Sequence, residues 1–208
     1  MTRTNVQRLL AIGSEGLGGE VAAQLPVGGA ALEQLLRQKN GFFAFESALH
    51  VLGTPPQPAG VCDILSWNEP SLWRTNFPAI PKSLLFFAQD VFGGQFGMDA
   101  NGHVLALEPE TGELTPCAED LEGWAGLILE DWDFMTGHSC ARAWQEANGV
   151  LPIGHRLYPK IPFVLGGDYA AANLFSCEAA QAMRSYANIA RQIRDLPDGS
   201  KVRLTVVD

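Results

Sequence analysis

At 208 residues, with 47% hydrophobic and 18% charged residues, the chain has the balance of a globular protein able to bury a sizeable core, which excludes a disordered or fibrous class. Its formal net charge of -9 argues against a general nucleic-acid binder, which needs basic surface to displace counterions. The four cysteines, Cys62, Cys117, Cys140 and Cys177, form no CxxC pair for zinc or redox chemistry and read as buried free thiols of a reducing cytosol.

The opening MTRTNVQRLLAIGSEG has no apolar core of signal-peptide length, and no apolar run approaches membrane-spanning length. A cytoplasmic protein without membrane contacts is the expectation. A short helix is expected over Val6 to Ile12, followed by a loose stretch at Gly13, Gly16, Gly18 and Gly19. From Ala30 to Lys39 the spacing of Leu32, Leu35 and Leu36 predicts a helix, and Asn40-Gly41 stops it, since both residues tolerate the left-handed conformation. Phe42 to Leu52 is compatible with strand or helix. Thr54 to Gly60, with its prolines, is a loop, and a short helix over Trp67 to Phe77 would turn Trp73 inward.

A β-meander follows. Leu84 to Ala88 is a short apolar run, as in a strand buried on both faces. Gln95 to Met98 and His103 to Glu108 form a hairpin around Asp99-Ala100-Asn101-Gly102, and Pro109-Glu110-Thr111-Gly112 is a second turn. Leu121, Trp124, Ala125 and Ile128 share a helical face behind an acidic first turn. Another helix is expected over Ser139 to Ala147, closed by Asn148-Gly149, and a buried strand over Ile161 to Leu165. Glu178 to Arg194 traces a long amphipathic helix through Ala182, Met183, Tyr186, Ile189, Ala190 and Ile193. After the turn at Pro197-Asp198-Gly199, Lys201 to Val207 alternates as a last strand. The predicted class is α+β: a mostly antiparallel sheet with a central β-meander and helices packed on it.

Charge is segregated along this path. Ser83 to Ala141 holds eleven Asp or Glu and no Lys or Arg, whereas the flanking segments carry acids and bases in near balance. Catalytic signatures are missing. The loop Gly13 to Gly19 lacks both the Lys-Ser/Thr ending of a P-loop and a GxGxxG spacing, so it reads as a flexible connector. His50, His103, His138 and His155 fit no zinc-hydrolase or deaminase pattern, His138-Ser139-Cys140 places neighbours on different helix faces, and GxSxG is absent. Asp131 and Asp133, preceded by Glu130, could offer hard oxygen ligands to a divalent cation, but two such carboxylates are common by chance, no third ligand is evident beyond this run, and a solvated helix end explains them. Core packing is expected for Trp124 and Trp144, and also for Trp67, Trp73 and Trp132, for which recognition is the competing role.

The segment FFAQDVFGGQFG, then GHVLALEPETGE and LEGWAGLIL, resembles the SUKH superfamily and, more narrowly, its Smi/Knr-like domains, named after fungal cell-wall assembly regulators. Leu25-Pro26 with the helix ending at Asn40-Gly41 resembles that family's opening. The resemblance divides the chain into an N-terminal segment (1–24), a SUKH-like core (25–131) and a C-terminal extension (132–208) packed on the same domain. It implies an α+β domain and, in bacteria, frequent service as an immunity protein that neutralises a toxin, often a nuclease. No shared catalytic constellation or cofactor comes with it.

These readings converge on a non-enzymatic protein-binding domain without a cofactor or metal. Its partner would be a protein, such as a basic toxin domain, contacted through Asp90, Glu108, Glu110, Glu113, Asp131 and Asp133. Opposite charge would steer the encounter. The alternatives are a regulatory scaffold in cell-envelope or stress signalling, and a metal-dependent enzyme using Glu130, Asp131 and Asp133.

Overall fold

Thr4 opens the first helix, α1 (Asn5–Ile12), with a reciprocal capping box: its hydroxyl accepts from the Gln7 N–H while the Gln7 side chain accepts from its own N–H. The computed structural model describes residues 3–21, 25, 29–197, 199–200 and 202. In it α2 (Gly29–Gln38) buries Leu32, Leu35 and Leu36, as their spacing predicts. Gly41 then leaves the helix at φ +76°. The adjacent Asn40 does more than stop a helix. Its buried amide donates to the Gly19 carbonyl at 2.9 Å and its Oδ1 accepts from the Thr54 N–H at 2.7 Å, tying two loops together.

The ambiguous run resolves as a hairpin, β1 (Phe42–Ala44) and β2 (Leu49–Val51). Its turn places Phe45, Glu46 and Ser47 at φ 52°, 52° and 73°, a left-handed path that side chains with a Cβ adopt only under strain. The helix expected over Trp67 to Phe77 is split. Asp63 caps α3 (Ile64–Trp67), a single 3-10 turn occupies Arg74–Asn76, and Trp73 between them is fully buried as expected.

The meander forms as predicted: β3 (Leu85–Asp90), β4 (Gln95–Met98), β5 (Val104–Glu108) and β6 (Glu113–Ala118). With β1 and β2 they make a six-stranded sheet in the order β1-β2-β3-β4-β5-β6, each strand antiparallel to the next. Short turns join β1 to β2 and β3 through β6, whereas residues 52–84, with α3 and the 3-10 turn, connect β2 to β3; neighbours in sequence are still neighbours in space. A bulge in β3 between Phe86 and Ala88 leaves Phe87 as the extra residue. Gly97, opposite Phe86, has no room for a Cβ, which would sit 2.8 Å from Leu84 Cγ.

Three helices follow: α4 (Leu121–Glu130), α5 (Trp132–Thr136) and α6 (His138–Asn148). The short α5 was not expected from the sequence. Strands β7 (His155–Pro159) and β8 (Leu174–Glu178) pair antiparallel as a second sheet, and α7 (Ala179–Ile193), capped by Glu178, completes the described fold. Ile161 to Leu165 is therefore not a buried strand. Ile161 is 58% exposed, and Pro162, which has no N–H for a ladder, leads into a 3-10 turn over Phe163–Leu165. Of the strand expected over Lys201 to Val207 only Val202 is among the described residues, and Asp198 of the predicted turn and Pro26 of the Leu25-Pro26 pair lie outside them.

Helices cover both faces of the large sheet. Trp124 of α4 meets Phe87 and Phe96 edge-on at 4.9 and 5.7 Å on one face. On the other, Trp73 packs on Phe86 at 5.3 Å and Met183 of α7 touches Gln95. Side chains of α1, α4 and α7 belong to one continuous core, while a smaller cluster around Val91, Trp144 and Leu157 joins α6 and β7 to the sheet end. The class is α+β, an antiparallel sheet with helices packed on it. No helix among the described residues is long and apolar enough to cross a membrane. The four cysteines are free but only half-buried, against the expectation of buried thiols.

Candidate functional site

Strand β3 ends at Asp90, which closes the turn into β4. Its Oδ1 accepts from the N–H groups of Phe92 at 2.7 Å and Gly94 at 2.9 Å. That turn lifts Phe92 out of the sheet. Beside it, β5 ends at Glu108, whose Oε1 accepts from the Glu110 N–H at 3.1 Å and shapes the next turn. Glu110 points inward and is 2% exposed; its two carboxylate oxygens accept from Phe163 N–H at 3.0 Å and Val164 N–H at 2.7 Å. On the facing wall Asp133 accepts from the Ser139 N–H at 2.6 Å, bracing α5 against α6.

These four carboxylates, Asp90, Glu108, Glu110 and Asp133, line one pocket of about 540 Å³. Six aromatic side chains belong to the rest of the lining. Phe163 and Tyr169 stack with centroids 3.9 Å apart, Phe92 meets both rings edge-on, and Tyr186 of α7 and Phe134 of α5 contribute as well. Phe134 is 84% exposed. Among the described residues no Lys or Arg belongs to the lining.

The electrostatics follow from that composition. Burial, then the Glu108 charge, pushes Asp90 up to about 7 despite its two backbone donors and the pull of Arg156. Burial also raises Glu108 and Glu110, against the opposing effect of their backbone hydrogen bonds. Asp133 moves the other way, held down by its hydrogen bonds with Ser139. Burial, then the three acids Glu108, Glu110 and Asp90, raises the Tyr169 hydroxyl. Such a pocket favours a positive ligand, through carboxylate hydrogen bonds on one side and π faces on the other. Its nucleophile candidate is quiescent: the Cys140 thiol points to the Tyr169 carbonyl at 3.2 Å, and burial, then Asp133, raises its pKa, so it stays protonated at neutral pH.

The other two acids lie apart from the pocket lining. Glu113 is exposed on β6, directly across the ladder from Glu108, whose ionisation it opposes. Asp131 caps α5 through the Phe134 N–H at 3.4 Å. Asp131 and Asp133 are both engaged by backbone, Asp131 as the cap of α5 and Asp133, within α5, at the Ser139 N–H of α6. Among the described residues no group of three or more His, Cys, Asp or Glu is placed to hold a metal. The glycine loop is not a free connector. Its N–H groups at Ser14, Leu17 and Gly18 donate to the carbonyls of Phe43, Gly41 and Asn40 at 2.7 to 2.8 Å, leaving none of them to cradle a phosphate.

Trp132 departs from the expected core packing: it is 38% exposed, stacked on Phe45 of the strained turn and edge-on to His138. No spacing in the sequence singles out the pocket aromatics as a group, although Asp133-Phe134, Asp168-Tyr169 and Asp90-Val91-Phe92 each put an aromatic beside an acid.

No family model matches the chain, and no curated protein matches it. Among solved structures it is similar to the crystal structure of Atu4351 from Agrobacterium tumefaciens, at 13% identity over 81% of this chain and 84% of that chain, with a TM-score of 0.49. A likeness of that size speaks to neither activity nor partner.

Proposed function

We propose that this chain is a non-enzymatic binding protein that receives a cationic side chain of a basic protein partner in the acid and aromatic pocket, and that the partner is a toxin it neutralises in the cytoplasm. The observation that carries the reading is the convergence of Asp90, Glu108, Glu110 and Asp133 with exposed aromatic rings in one pocket without a base. Interfaces with high energy at few residues combine a desolvated polar floor with aromatic anchors, and Phe134 and Tyr169, 84% and 63% exposed, are placed as anchors at this lining. A nuclease toxin has the complementary chemistry, since it carries basic surface for phosphate. The resemblance of residues 25–131 to SUKH immunity proteins supports the toxin assignment.

Co-purification from the native host with a basic toxin, followed by calorimetry, tests this. Phe134→Ala is expected to leave folding stability within about 0.5 kcal/mol, because the ring is exposed, yet to weaken partner binding at least tenfold or so. Glu108→Lys is expected to slow association and flatten its salt dependence. Unchanged affinity in both variants would remove the pocket from the interface. A co-purifying regulator without toxicity would replace the toxin assignment with the scaffold reading.

A further inference from the structure

Behind the pocket, on the other side of Asp90, a chain of buried side chains ends on an unused donor. Trp67 can only donate, so its Nε1–H at 2.8 Å from Gln95 fixes the Gln95 oxygen on that side. The Gln95 amide nitrogen then faces the Gln89 oxygen at 3.5 Å, which turns the Gln89 amide nitrogen to His50 Nδ1 at 3.3 Å. His50 therefore accepts at Nδ1 and carries its proton at Nε2. It is 4% exposed and stacked on Phe43 at 4.4 Å, and Nε2 has no hydrogen-bond partner in the protein among the described residues.

Arg156 presents the same problem with a full charge. It is 3% exposed, and its guanidinium sits 5.9 Å from the Phe43 ring. Nη1 donates to the His155 carbonyl at 2.9 Å, but Nε has no partner, and among the described residues Arg156 makes no ion pair with a carboxylate. Buried charges are ordinarily paired, and buried donors ordinarily bonded. His50 and Arg156 line one small cavity of about 100 Å³, together with Cys62, Gln89 and the start of α7. Glu178, the acid of that lining, turns its two oxygens onto the N–H groups of Ala180 and Gln181 as the cap of α7.

We propose that this cavity binds a small oxyanion of carboxylate or bicarbonate size, held between the guanidinium of Arg156 and the Nε2–H of His50. Asp90 offsets the Arg156 charge only in part, because its own carboxyl is pushed up to about 7. Water satisfies donors but not the remaining charge, and the cavity exceeds the space that one water requires, roughly 10–15 Å³. Apart from the Glu178 carboxylate, which is turned onto the N–H groups of α7, the titratable groups around the anion are donors in their ground states. Burial, then Arg156, keeps His50 neutral, and burial, then Asp63, pushes the Cys62 thiol up to about 11. Arg156 itself, lowered to about 10 mainly by burial, remains cationic at neutral pH.

The test is a thermal titration of the full chain with sodium acetate and with sodium bicarbonate, ionic strength being held constant with sodium gluconate, whose chain exceeds the cavity. A saturable rise in Tm of about 5 °C at a hundredfold excess over Kd is expected for acetate or bicarbonate. Arg156→Met should abolish it, and His50→Phe, which keeps the stack on Phe43, should weaken binding about tenfold. A crystal of the wild-type protein soaked in the responding anion provides a readout independent of how the variants fold. Planar density bridging Arg156 Nε and His50 Nε2 supports the site. Water alone in that density, no Tm response, or an equal response in Arg156→Met overturns it.

Discussion

Asp90→Asn isolates the cost of holding an acid at the pocket floor. In the wild-type protein Asp90 titrates at about 7, against an ordinary value of 3.8, because burial and then Glu108 oppose its ionisation. Between those values the folded protein binds a proton that the unfolded chain has released, so stability falls as pH rises across the window. Asparagine keeps Oδ1 as acceptor for the Phe92 and Gly94 N–H groups but never ionises. The variant should therefore gain on the wild type as pH rises from 4 to 7, by at most roughly 4 kcal/mol at about 1.36 kcal/mol per pKa unit, with the gain levelling off above 7. Urea unfolding of both proteins at pH 4.5 and pH 8 measures this as a double difference. Glu108, Glu110 and Asp133 are present in both proteins, so their contributions largely cancel. An Asn-minus-Asp difference equal at the two pH values would mean that the carboxylate is solvated in the folded state, and the electrostatic description of the pocket would fall with it.

The remaining predictions concern packing and the pocket wall. Trp124→Ala removes the ring between Phe87 and Phe96 and should cost about 3–5 kcal/mol in denaturant unfolding, whereas Trp124→Phe, which deletes an indole N–H that has no partner among the described residues, should cost far less. Glu110→Ala leaves the Phe163 and Val164 N–H groups without their acceptor and should cost about 2 kcal/mol, with amide exchange accelerated at those two residues while the centre of β4 stays protected.

The elements that could be read from the sequence are those whose information is local. The turn residues Asn101-Gly102 and Pro109 to Gly112 set the hairpins of the meander, and the Leu32, Leu35, Leu36 spacing set α2. Pairing of β7 with β8 could not be read this way. Residues such as His155, Arg156 and Pro159 facing Glu178, Cys177 and Leu174 show no clean alternation, and the partners are joined by a loop with two 3-10 turns. The acids divide by the same rule. Asp131 and Asp133 read as a solvated helix end; they accept from N–H groups only 3 and 6 residues along the chain, but the start of α5 that engages them was not legible. That Glu110 turns inward depends on two N–H groups more than fifty residues away, which no spacing within the acidic segment encodes. Asp90, Glu108, Glu110 and Asp133 do share a pocket, but Asp131 and Glu113 fall outside it, so the charge segregation located the region and tertiary contacts selected its members.

The pocket's acids are held in place by hydrogen bonds. Each of its four carboxylates accepts from at least one backbone N–H, so none has to reorganise to meet a cation. The same arrangement sets acids close together where burial raises three of them, which disfavours the empty folded state near neutral pH. A side chain optimised only for stability would replace Asp90 with a neutral residue of similar shape. A bound cation reverses the balance: it favours the ionised form, so binding expels the proton that Asp90 holds and strengthens as pH rises through about 7. Strain points to the same region, since Phe45, which begins the left-handed turn, stacks on Trp132 at the start of α5, the helix that supplies Asp133 and Phe134. Acid that Arg156 offsets only in part, on a prearranged floor beside a wall whose anchor ring is left exposed, is how a fold would look if its stability had been conceded to recognition of a positive partner.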